Sequence, residues 1–416
     1  MDVLNVEIIS KEMIKPFLPT PDHLKKLKHS LLDQHAPQYN VPLIFFYHNE
    51  NLSSFNISQL LKQSLSRILT LFPPMAGRIQ ENSYIDCNDD GVYFVEARVH
   101  AGLDQVIKEP RMQELQQFLA VDPLGQTDDN AILSVKINFF DCGGIAIGVC
   151  FSHKMTDCAS FVAFINAWAA RCREEAEVIQ PTFDLPIRFP PTALATSGDS
   201  MSVGINKGKI MTKRLVFDKE KLAKLKQIGT SNEVKNPTKV EAVSAFIWRC
   251  MIEEARAKPD MKKTSFAAVH AVNLRPRAIP PIPGHAFGNC WGVAFAFLSQ
   301  TEDSCDLVSK LRSGIREINA DCIKKLQNGD YLSDFSKWID FSKNDTAVCN
   351  FSSWCRFPMY EVDFGWGKPI WVCTATVPFK NVVFLMSNQS GDGIEAWLNM
   401  SDYDMEMLET HYEQLN

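Results

Sequence analysis

Three histidines in this chain are each followed by an aspartate four residues later, and this spacing is the first candidate for chemistry. The matched pairs are His29 with Asp33, His100 with Asp104, and His153 with Asp157. An imidazole can take up a proton near neutral pH, so each of the three could serve as a general base. The chain has nine histidines, and each has a chance of roughly 1 in 16 of being followed by Asp four residues later. The number of matches expected by accident is therefore about one half. The spacing alone therefore does not select one of them.

The surroundings of His153 differ from those of the other two histidines. A strand ILSVKINFF, a turn DCGG and a second strand IAIGVCF are predicted before it, and a helix CASFVAFINAWAARC after it. The apolar residues of that helix recur at helical spacing: Phe161, Phe164, Ile165 and Trp168. Thr156 or Asp157 can cap its first N–H groups. A strand-to-helix junction holds a side chain rigidly at the edge of a sheet, where ligands often bind. For His153, a catalytic role and a structural role both remain open at this point.

The other two matches lack this setting. His29 ends the basic segment LKKLKH at residues 24–29, which predicts a solvated helix face. His100 ends a predicted strand and enters AGLDQ, for which we expect an exposed loop. Neither histidine is expected to take part in chemistry.

Motifs for several other chemistries are absent from the sequence. It contains no GxSxG nucleophile elbow, no HExxH, no Walker-type phosphate loop and no GxGxxG after a strand, and no metal site is predicted. No Ser or Cys lies in a recognisable nucleophile setting. His153 would then act as a general base on a bound hydroxyl, amine or thiol, in a direct transfer to an acceptor.

The composition is that of a globular protein with two domains. At 416 residues the chain exceeds the ~250–300 residues at which single cores stop growing. A net charge of -6 and a pI near 5.9 provide no long-range attraction to nucleic acid or to an anionic membrane. No apolar run is long enough for a membrane span, and the first residues do not resemble a secretory signal.

The cysteines indicate a reducing compartment. All twelve are scattered along the chain, contain no CxxC pair and fall in apolar runs such as AIGVCF and IWRCMI. Free buried thiols fit this distribution better than a disulfide framework. We therefore expect a cytoplasmic protein.

The elements that must position His153 divide into two halves. Residues 182–210 are rich in Pro, Gly, Ser and Thr and predict a linker or crossover between domains at 1–181 and 211–416. In the first half VPLIFFY and VYFVEARV predict strands and ISQLLKQSLSRILTLF a helix. In the second half KRLVF, SFAAVHAVNLR and WGVAFAFLS predict strands and KVEAVSAFIWRCMIEEARA a helix. This mixing predicts an α/β arrangement in each half.

Two motifs, taken together, resemble those of a known family. HKMTD after CGGIAIGVCFS, followed some two hundred residues later by DFGWGKP at Asp363 to Pro369, is similar to the plant BAHD acyltransferases, and the resemblance covers essentially the whole chain. PTPDHLKKLKHSLLDQ, FPPMAGRI, AVNLR, FGN and GDGIEAWLNM also match. The residues of the SWCR and DFGWGKP motifs are most similar to those of the alkaloid acetyltransferases of that family.

The resemblance implies a fold and an activity. The fold would be two chloramphenicol-acetyltransferase-like α/β domains with a channel between them, and a segment near 363–380 could pack back on the first domain. The activity would be O-acyl transfer from acyl-CoA, expected to be acetyl-CoA, to a hydroxyl of a plant specialised metabolite such as an alkaloid. No bound cofactor, nucleic-acid partner or membrane partner is expected, and the protein would be a monomer. A sugar or simple alcohol as acceptor, malonyl-CoA as donor, and an inactive binding protein on the same fold remain alternatives.

The resemblance also implies roles for residues around the catalytic histidine. His153 would be the general base. Asp157 would point away from the channel and support the catalytic loop through Arg275. The family usually has Gly after this aspartate, whereas this chain has Cys158.

Further residues follow from the same resemblance. Ser352 and Trp354 would line the channel or support the oxyanion, although Ser stands where the family often has Thr. Asn289 could also line the channel, and Ser244 and Lys239 are candidates for CoA binding or simply belong to the start and packed face of a helix. The structural motif would consist of Asp363, Phe364, Gly365, Trp366 and Gly367.

Overall fold

The structure is a computed structural model that describes residues 4–49, 52–123, 130–192, 210–257, 265–329 and 346–415. The strands of this part of the chain are β1 Val6–Ile14, β2 Lys26–Lys28, β3 Asn40–Tyr47, β4 Arg78–Gln80, β5 Tyr84–Asp86, β6 Val92–Val99, β7 Leu133–Phe140, β8 Ile145–Ser152, β9 Met211–Phe217, β10 Ser265–Asn273, β11 Trp291–Ser299, β12 Thr346–Ser353, β13 Trp371–Cys373, β14 Val382–Ser387 and β15 Ile394–Met400.

The helices are α1 Leu31–His35, α2 Ser54–Leu69, α3 Leu103–Lys108, α4 Met112–Leu115, α5 Cys158–Cys172, α6 Leu185–Arg188, α7 Lys219–Ile228, α8 Lys239–Ala257, α9 Leu307–Glu317, α10 Ala320–Gln327 and α11 Asp402–Glu413. Short 3₁₀ helices cover Asp22–Leu24, Pro73–Ala76, Gln116–Phe118, Arg275–Arg277 and Met359–Glu361. None of the described helices combines the length and apolarity needed to span a bilayer.

The chain folds into two compact units, which confirms the predicted two-domain α/β class. The first unit comprises Met1–Met201, Pro283–Cys290 and Phe357–Val377, and the second comprises Ser202–Ile282, Trp291–Arg356 and Pro378–Asn416. Each unit contains a six-stranded mixed sheet.

The sheet of the first unit has the order β1-β6-β7-β8-β3-β13, in which β6 and β7 are parallel and the other neighbours antiparallel. Every residue of β3, β7 and β8 is buried, as expected for central strands covered on both faces. Helices α2 and α5 pack together, and the buried indole of Trp168 on α5 donates to the carbonyl of Leu61 at 3.3 Å and to the hydroxyl of Ser64 at 3.0 Å on α2.

The sheet of the second unit has the order β11-β10-β12-β14-β15-β9, with β10, β12 and β14 parallel. Side chains alternate across each strand. On β12, Phe351 belongs to the apolar core with residues of α7, α8, α9 and α11. Its neighbour Ser352 therefore lies on the opposite face of the sheet, beside Phe384 of β14 in the strand register.

Two segments interrupt the predicted second domain: the one near 363–380 was expected to pack back on the first domain, and the one at 283–290 was not. Residues 283–290 and 357–377 belong to the first unit, so the second domain is not continuous from 211 to 416. The backbone explains both cases, because the amide of Phe287 donates to the carbonyl of Thr182 at 2.8 Å and β13 pairs with β3. Within the predicted linker, α6 is helical, and the amide of Leu31 donates to the carbonyl of Phe189 at 2.9 Å. Residues 193–209 of that linker lie outside the described residues.

Two short sequence predictions in the first unit were wrong. The basic segment at 24–29 is not a helix face, because Lys26–Lys28 forms β2 and pairs with β5. AGLDQ does not remain a loop, since α3 begins at Leu103, whose side chain is buried. In both cases contacts with distant residues outweigh the local sequence pattern.

Candidate active site

His153 directly follows the last residue of β8 in the first unit, and its backbone is held on both sides. Its amide donates to the carbonyl of Tyr39 at 2.9 Å, and its own carbonyl accepts from the Asn289 side-chain amide at 3.0 Å. The imidazole is half-buried and lies 5.3 Å from the Tyr39 ring, centroid to centroid. The strand end and these contacts fix the direction in which the ring leaves the backbone.

The electrostatic setting of His153 suits a proton acceptor. Burial lowers the pKa of the imidazole below its ordinary value, while a hydrogen bond with its own backbone and the charge of Asp157 oppose that shift in part. A lowered pKa keeps the ring neutral at pH 7, so that one ring nitrogen has a lone pair available. A general base needs this protonation state.

Asp157 anchors the loop rather than facing the histidine as an acid partner. It is the N-cap of α5, where one carboxylate oxygen accepts from the Ser160 amide at 2.9 Å. The other oxygen accepts from the Cys290 amide at 2.9 Å. The carboxylate is buried, and its two hydrogen bonds join the start of α5 to the 283–290 segment. These contacts support the structural role assigned to Asp157.

Arg275 lies in the second unit, in the 3₁₀ helix that follows β10, and is only 1% exposed. Its amide and one guanidinium nitrogen donate to the Asn273 side-chain oxygen at 3.1 Å and 3.4 Å. The support of Asp157 through Arg275 stays a prediction.

Asn289 and Asp33 form a buried network beneath the His153 loop. Asn289 is 0% exposed, and its side-chain amide donates to Asp33 at 2.9 Å as well as to the carbonyls of His153 and Lys154 at 3.0 Å and 3.1 Å. Asp33 also accepts from the Ser30 amide and hydroxyl in a capping box at the start of α1. The prediction that Asn289 lines a channel is therefore corrected, since this fully buried amide positions the backbone of the loop.

His29 and Lys154 are buried titratable groups near this network. Burial, followed by the charge of Lys154, lowers the pKa of the fully buried His29 to about 4. The Lys154 ammonium donates to the carbonyl of Gln34 at 2.8 Å, and burial lowers its pKa to about 8. His29 is thus a neutral core histidine, which the adjacent lysines in the sequence did not reveal.

His100 lies on the surface of the first unit, as expected. Its ring nitrogens are 3.3 Å from Asp141 and 3.4 Å from Glu7, and all three side chains are solvent-accessible. These surface contacts explain the residue without a catalytic role.

The DFGWG stretch forms a tight turn in the first unit. One oxygen of Asp363 accepts from the amides of Gly365 and Gly367 at 2.7 Å and 3.0 Å. Both glycines have positive φ, 113° and 107°, a conformation that favours glycine. Phe364 is buried edge-on against Trp168 of α5, 4.9 Å between centroids, and stacks on Trp366. These contacts support a structural role for the stretch, which stays a prediction.

In the second unit, Ser352 and Trp354 contact each other. The Trp354 indole donates to the Ser352 hydroxyl at 3.0 Å, and the Trp354 backbone amide donates to the carbonyl of Leu385 at 2.7 Å. The serine is half-buried and the tryptophan buried. This arrangement orients the hydroxyl, whose own hydrogen can still be donated, and its role at an oxyanion stays a prediction.

The two CoA candidates lie on α8. Ser244 is 0% exposed and belongs to the packed face of the helix, which favours the packing alternative for this residue. Lys239 is half-buried at the first position of the helix, and its ammonium donates to the carbonyl of Gly391 at 2.5 Å. Its part in CoA binding stays a prediction.

Sequence reasoning missed several residues that hold the candidate base. Tyr39, Asp33 and Ser160 contact the His153 loop or the 283–290 segment through backbone and buried polar groups. The signals for Asp33 were the HSLLD spacing, which marked the histidine instead, and the match of PTPDHLKKLKHSLLDQ to the family. Among the described residues, no cluster of three or more His, Cys, Asp or Glu side chains could hold a metal ion.

Comparison with known proteins identifies the class. A family model described as Transferase family matches residues 4–415, and the chain belongs to this family, the BAHD acyltransferases, and is an acyltransferase. It is 43% identical to stemmadenine O-acetyltransferase of Catharanthus roseus, over 99% of this chain and 97% of that protein. It is likewise 43% identical to vinorine synthase of Rauvolfia serpentina, over 97% and 96%.

Solved structures agree at the level of the fold. The crystal structure of vinorine synthase matches with a TM-score of 0.88 and 41% identity, covering 99% of this chain and 98% of that one. The structure of F. graminearum TRI101 complexed with coenzyme A and T-2 mycotoxin matches with a TM-score of 0.71 at 19% identity, covering 92% and 97%. This second similarity extends to the fold alone.

Proposed function

We propose that this acyltransferase moves the acetyl group of acetyl-CoA to a hydroxyl group of an alkaloid or a similar plant specialised metabolite. The observation that carries the proposal is His153, a half-buried imidazole at a strand end, whose pKa is lowered by burial and whose backbone is held by Tyr39 and Asn289. The similarity to stemmadenine O-acetyltransferase and vinorine synthase supports acetyl as the acyl group and an alkaloid as the acceptor.

The proposed reaction is a direct transfer in which both substrates are bound together. Nε2 of His153 takes the proton of the acceptor hydroxyl while the hydroxyl oxygen attacks the thioester carbonyl carbon. The tetrahedral intermediate then expels the CoA thiolate as the C–S bond breaks, and the proton on His153 passes to that thiolate. The products are an ester and free CoA, and the histidine is neutral again.

Charge that develops on the carbonyl oxygen needs a hydrogen-bond donor. Ser352 is the proposed donor, because its hydroxyl oxygen already accepts from Trp354, which leaves its hydrogen for another acceptor. In the proposed reaction, His153 therefore transfers the proton and Ser352 supports the oxyanion.

The substrate assignment can be tested by a screen for release of free CoA thiol. Acetyl-CoA and malonyl-CoA are offered with panels of alkaloid, terpenoid, sugar and simple alcohols. The highest kcat/KM is expected for acetyl-CoA with an alkaloid alcohol. A preference for a sugar or simple alcohol, or for malonyl-CoA, would overturn the assignment of substrates. If none of the acceptors in a broad panel leads to release of CoA, the protein would be a binding protein on the same fold.

Direct transfer can be tested with radiolabelled acetyl-CoA in the absence of acceptor. The competing route forms an acyl-enzyme, and Cys158 is the candidate nucleophile because it is half-buried at the first position of α5, where a helix N terminus can lower the pKa of a thiol. No label is expected on the quenched protein, and Cys158→Ala should keep activity within a few-fold. Stoichiometric label on Cys158 that is chased into product by acceptor would contradict direct transfer.

A further inference from the structure

The second unit contains a cavity that has no part in the proposed chemistry. Its volume is about 320 Å³, and it is lined by α7, α8, the start of α9, and α11 with the residues that follow it. This volume lies at the lower end of the roughly 300–1,000 Å³ found for small-molecule sites. None of the residues that line it belongs to the candidate active site.

Most of the cavity wall is hydrocarbon. Apolar side chains are contributed by Leu225 of α7, Phe246 of α8, Val308 of α9 and Leu415, which follows α11. Leu225 and Val308 are also part of the core of this unit. Such a wall favours an apolar chain over a sugar or a nucleotide.

The cavity also contains a guanidinium group with unused donors. Arg249 of α8 lines it, and one terminal nitrogen donates to the carbonyl of Ser304 at 3.3 Å. A guanidinium carries five N–H donors and prefers carboxylate acceptors, so the geometry favours an anionic ligand group at this point.

The neighbouring acid on the same helix has a different partner. The carboxylate of Glu253 is 3.2 Å from the imidazole of His411, which also lines the cavity. In the described part of the chain, no carboxylate lies within salt-bridge distance of Arg249. The positive charge at the cavity is therefore not balanced by an ion pair of its own.

From these observations we propose that the cavity is a second binding site for a small aliphatic monocarboxylate. The carboxylate of the ligand accepts from the guanidinium of Arg249, and its hydrocarbon chain packs against Leu225, Phe246 and Val308. The assignment is independent of the acceptor and donor proposed above.

Octanoate is the probe for this site, and isothermal titration calorimetry on the full chain is the measurement. Octanoate should bind the native protein, and Arg249→Gln should weaken that binding by at least ~10-fold, the loss of a charge-assisted hydrogen bond. Arg249→Lys keeps the charge and should retain binding within a few-fold. Arg316→Gln, which removes an exposed arginine of α9 outside the cavity, is the matched control and should leave binding unchanged.

Two further measurements separate the cavity from other sites. Octan-1-ol lacks the carboxylate, so its weaker binding should not change in Arg249→Gln. Ala245→Leu fills part of the cavity, because Ala245 lines it, and should abolish binding of both probes while circular dichroism shows a folded chain. Absence of octanoate binding to the native protein, or equal affinity in Arg249→Gln, would overturn the proposal.

Discussion

At the scale of single residues, burial decides which histidine can act as a base. His153 is half-buried and has a lowered pKa, whereas His29 is fully buried inside the first unit and His100 is exposed among acidic side chains. The same spacing to an aspartate thus occurs in three physical environments. The histidine at the end of β8 combines a ring kept neutral by burial with partial exposure to solvent.

Removal of each histidine in turn tests this distinction. His153→Ala should lower kcat/KM by ~10²–10⁴-fold, the usual contribution of a positioned general base. His100→Ala should keep the rate within a few-fold and is the control for an exposed histidine. His29→Ala should lower the melting temperature because it leaves a cavity, while the folded fraction keeps a rate within a few-fold. Equal losses in kcat for folded His29→Ala and His153→Ala would contradict the assignment.

The lowered pKa of His153 predicts the pH dependence of the reaction. A general base works in its unprotonated form, and a pKa below the ordinary 6.5 means that the imidazole becomes half protonated only below pH 6.5. The midpoint of the acidic limb of kcat/KM should therefore lie below pH 6.5. The pH profile of kcat/KM at constant ionic strength is the measurement. An acidic limb at or above pH 6.5 would show that another group titrates.

At the scale of elements, contacts at the start of α5 hold the loop that carries His153. Asp157 satisfies the first turn of the helix and the amide of Cys290 together, and Asn289 ties the same segment to the carbonyl of His153. The loop that carries the base is thus held by the N terminus of a helix and by a segment from much later in the chain. The DFGWG turn stabilises the other end of this helix, because Phe364 packs on Trp168.

Asp157→Ala should destabilise the protein as well as reduce activity. The loss of the cap costs about 1 kcal/mol, and the unpaired, buried amide of Cys290 costs about 1–3 kcal/mol more. Urea unfolding followed by circular dichroism measures the sum. Asp157→Ser is the matched control, because a serine can still cap the helix but is too short to accept from Cys290 at the same time. Its free energy of unfolding should therefore lie between those of the native protein and Asp157→Ala. Unchanged stability with a complete loss of activity would indicate that Asp157 acts in the chemistry.

At the scale of the whole molecule, each unit keeps a neutral histidine in its interior. His29 lies in the first unit, and His270 of β10 lies in the second, stacked on Phe351 at 4.7 Å. Burial lowers the pKa of both to about 4. Both histidines are therefore neutral over most of the pH range in which the chain is folded.

These two histidines predict a loss of stability in acid. Below pH 6.5 the unfolded chain binds protons at both positions while the folded chain does not, so the free energy of unfolding falls as the pH drops from 6.5 to about 4. Each histidine contributes up to about 3 kcal/mol to this fall. Unfolding free energies of the native chain and of His270→Gln should be compared across this range. A smaller fall is expected in the variant, and an equal fall would show that His270 is not the group that titrates.

Local sequence patterns determined the long elements of this protein. The helix predicted from KVEAVSAFIWRCMIEEARA is α8 at Lys239–Ala257, and the strand predicted from WGVAFAFLS is β11 at Trp291–Ser299. Periodicity is sufficient there because each of these elements is long enough to show which of its faces is buried. The junction at His153 and the cap at Asp157 were also predictable from the local sequence, because the strand, the turn and the helix follow one another directly along the chain.

The tertiary structure alone decided the features that depend on distant residues. Lys26–Lys28 is a strand because it pairs with β5, and a three-residue segment is too short to show a period of its own. Asn289 contacts Asp33 across 256 positions in sequence, so no local pattern could show that this amide holds the backbone of His153. Burial lowered the pKa of His29, His153 and His270 in the same way, because desolvation depends on every neighbour in space and the spacing to an aspartate reports only one neighbour along the chain.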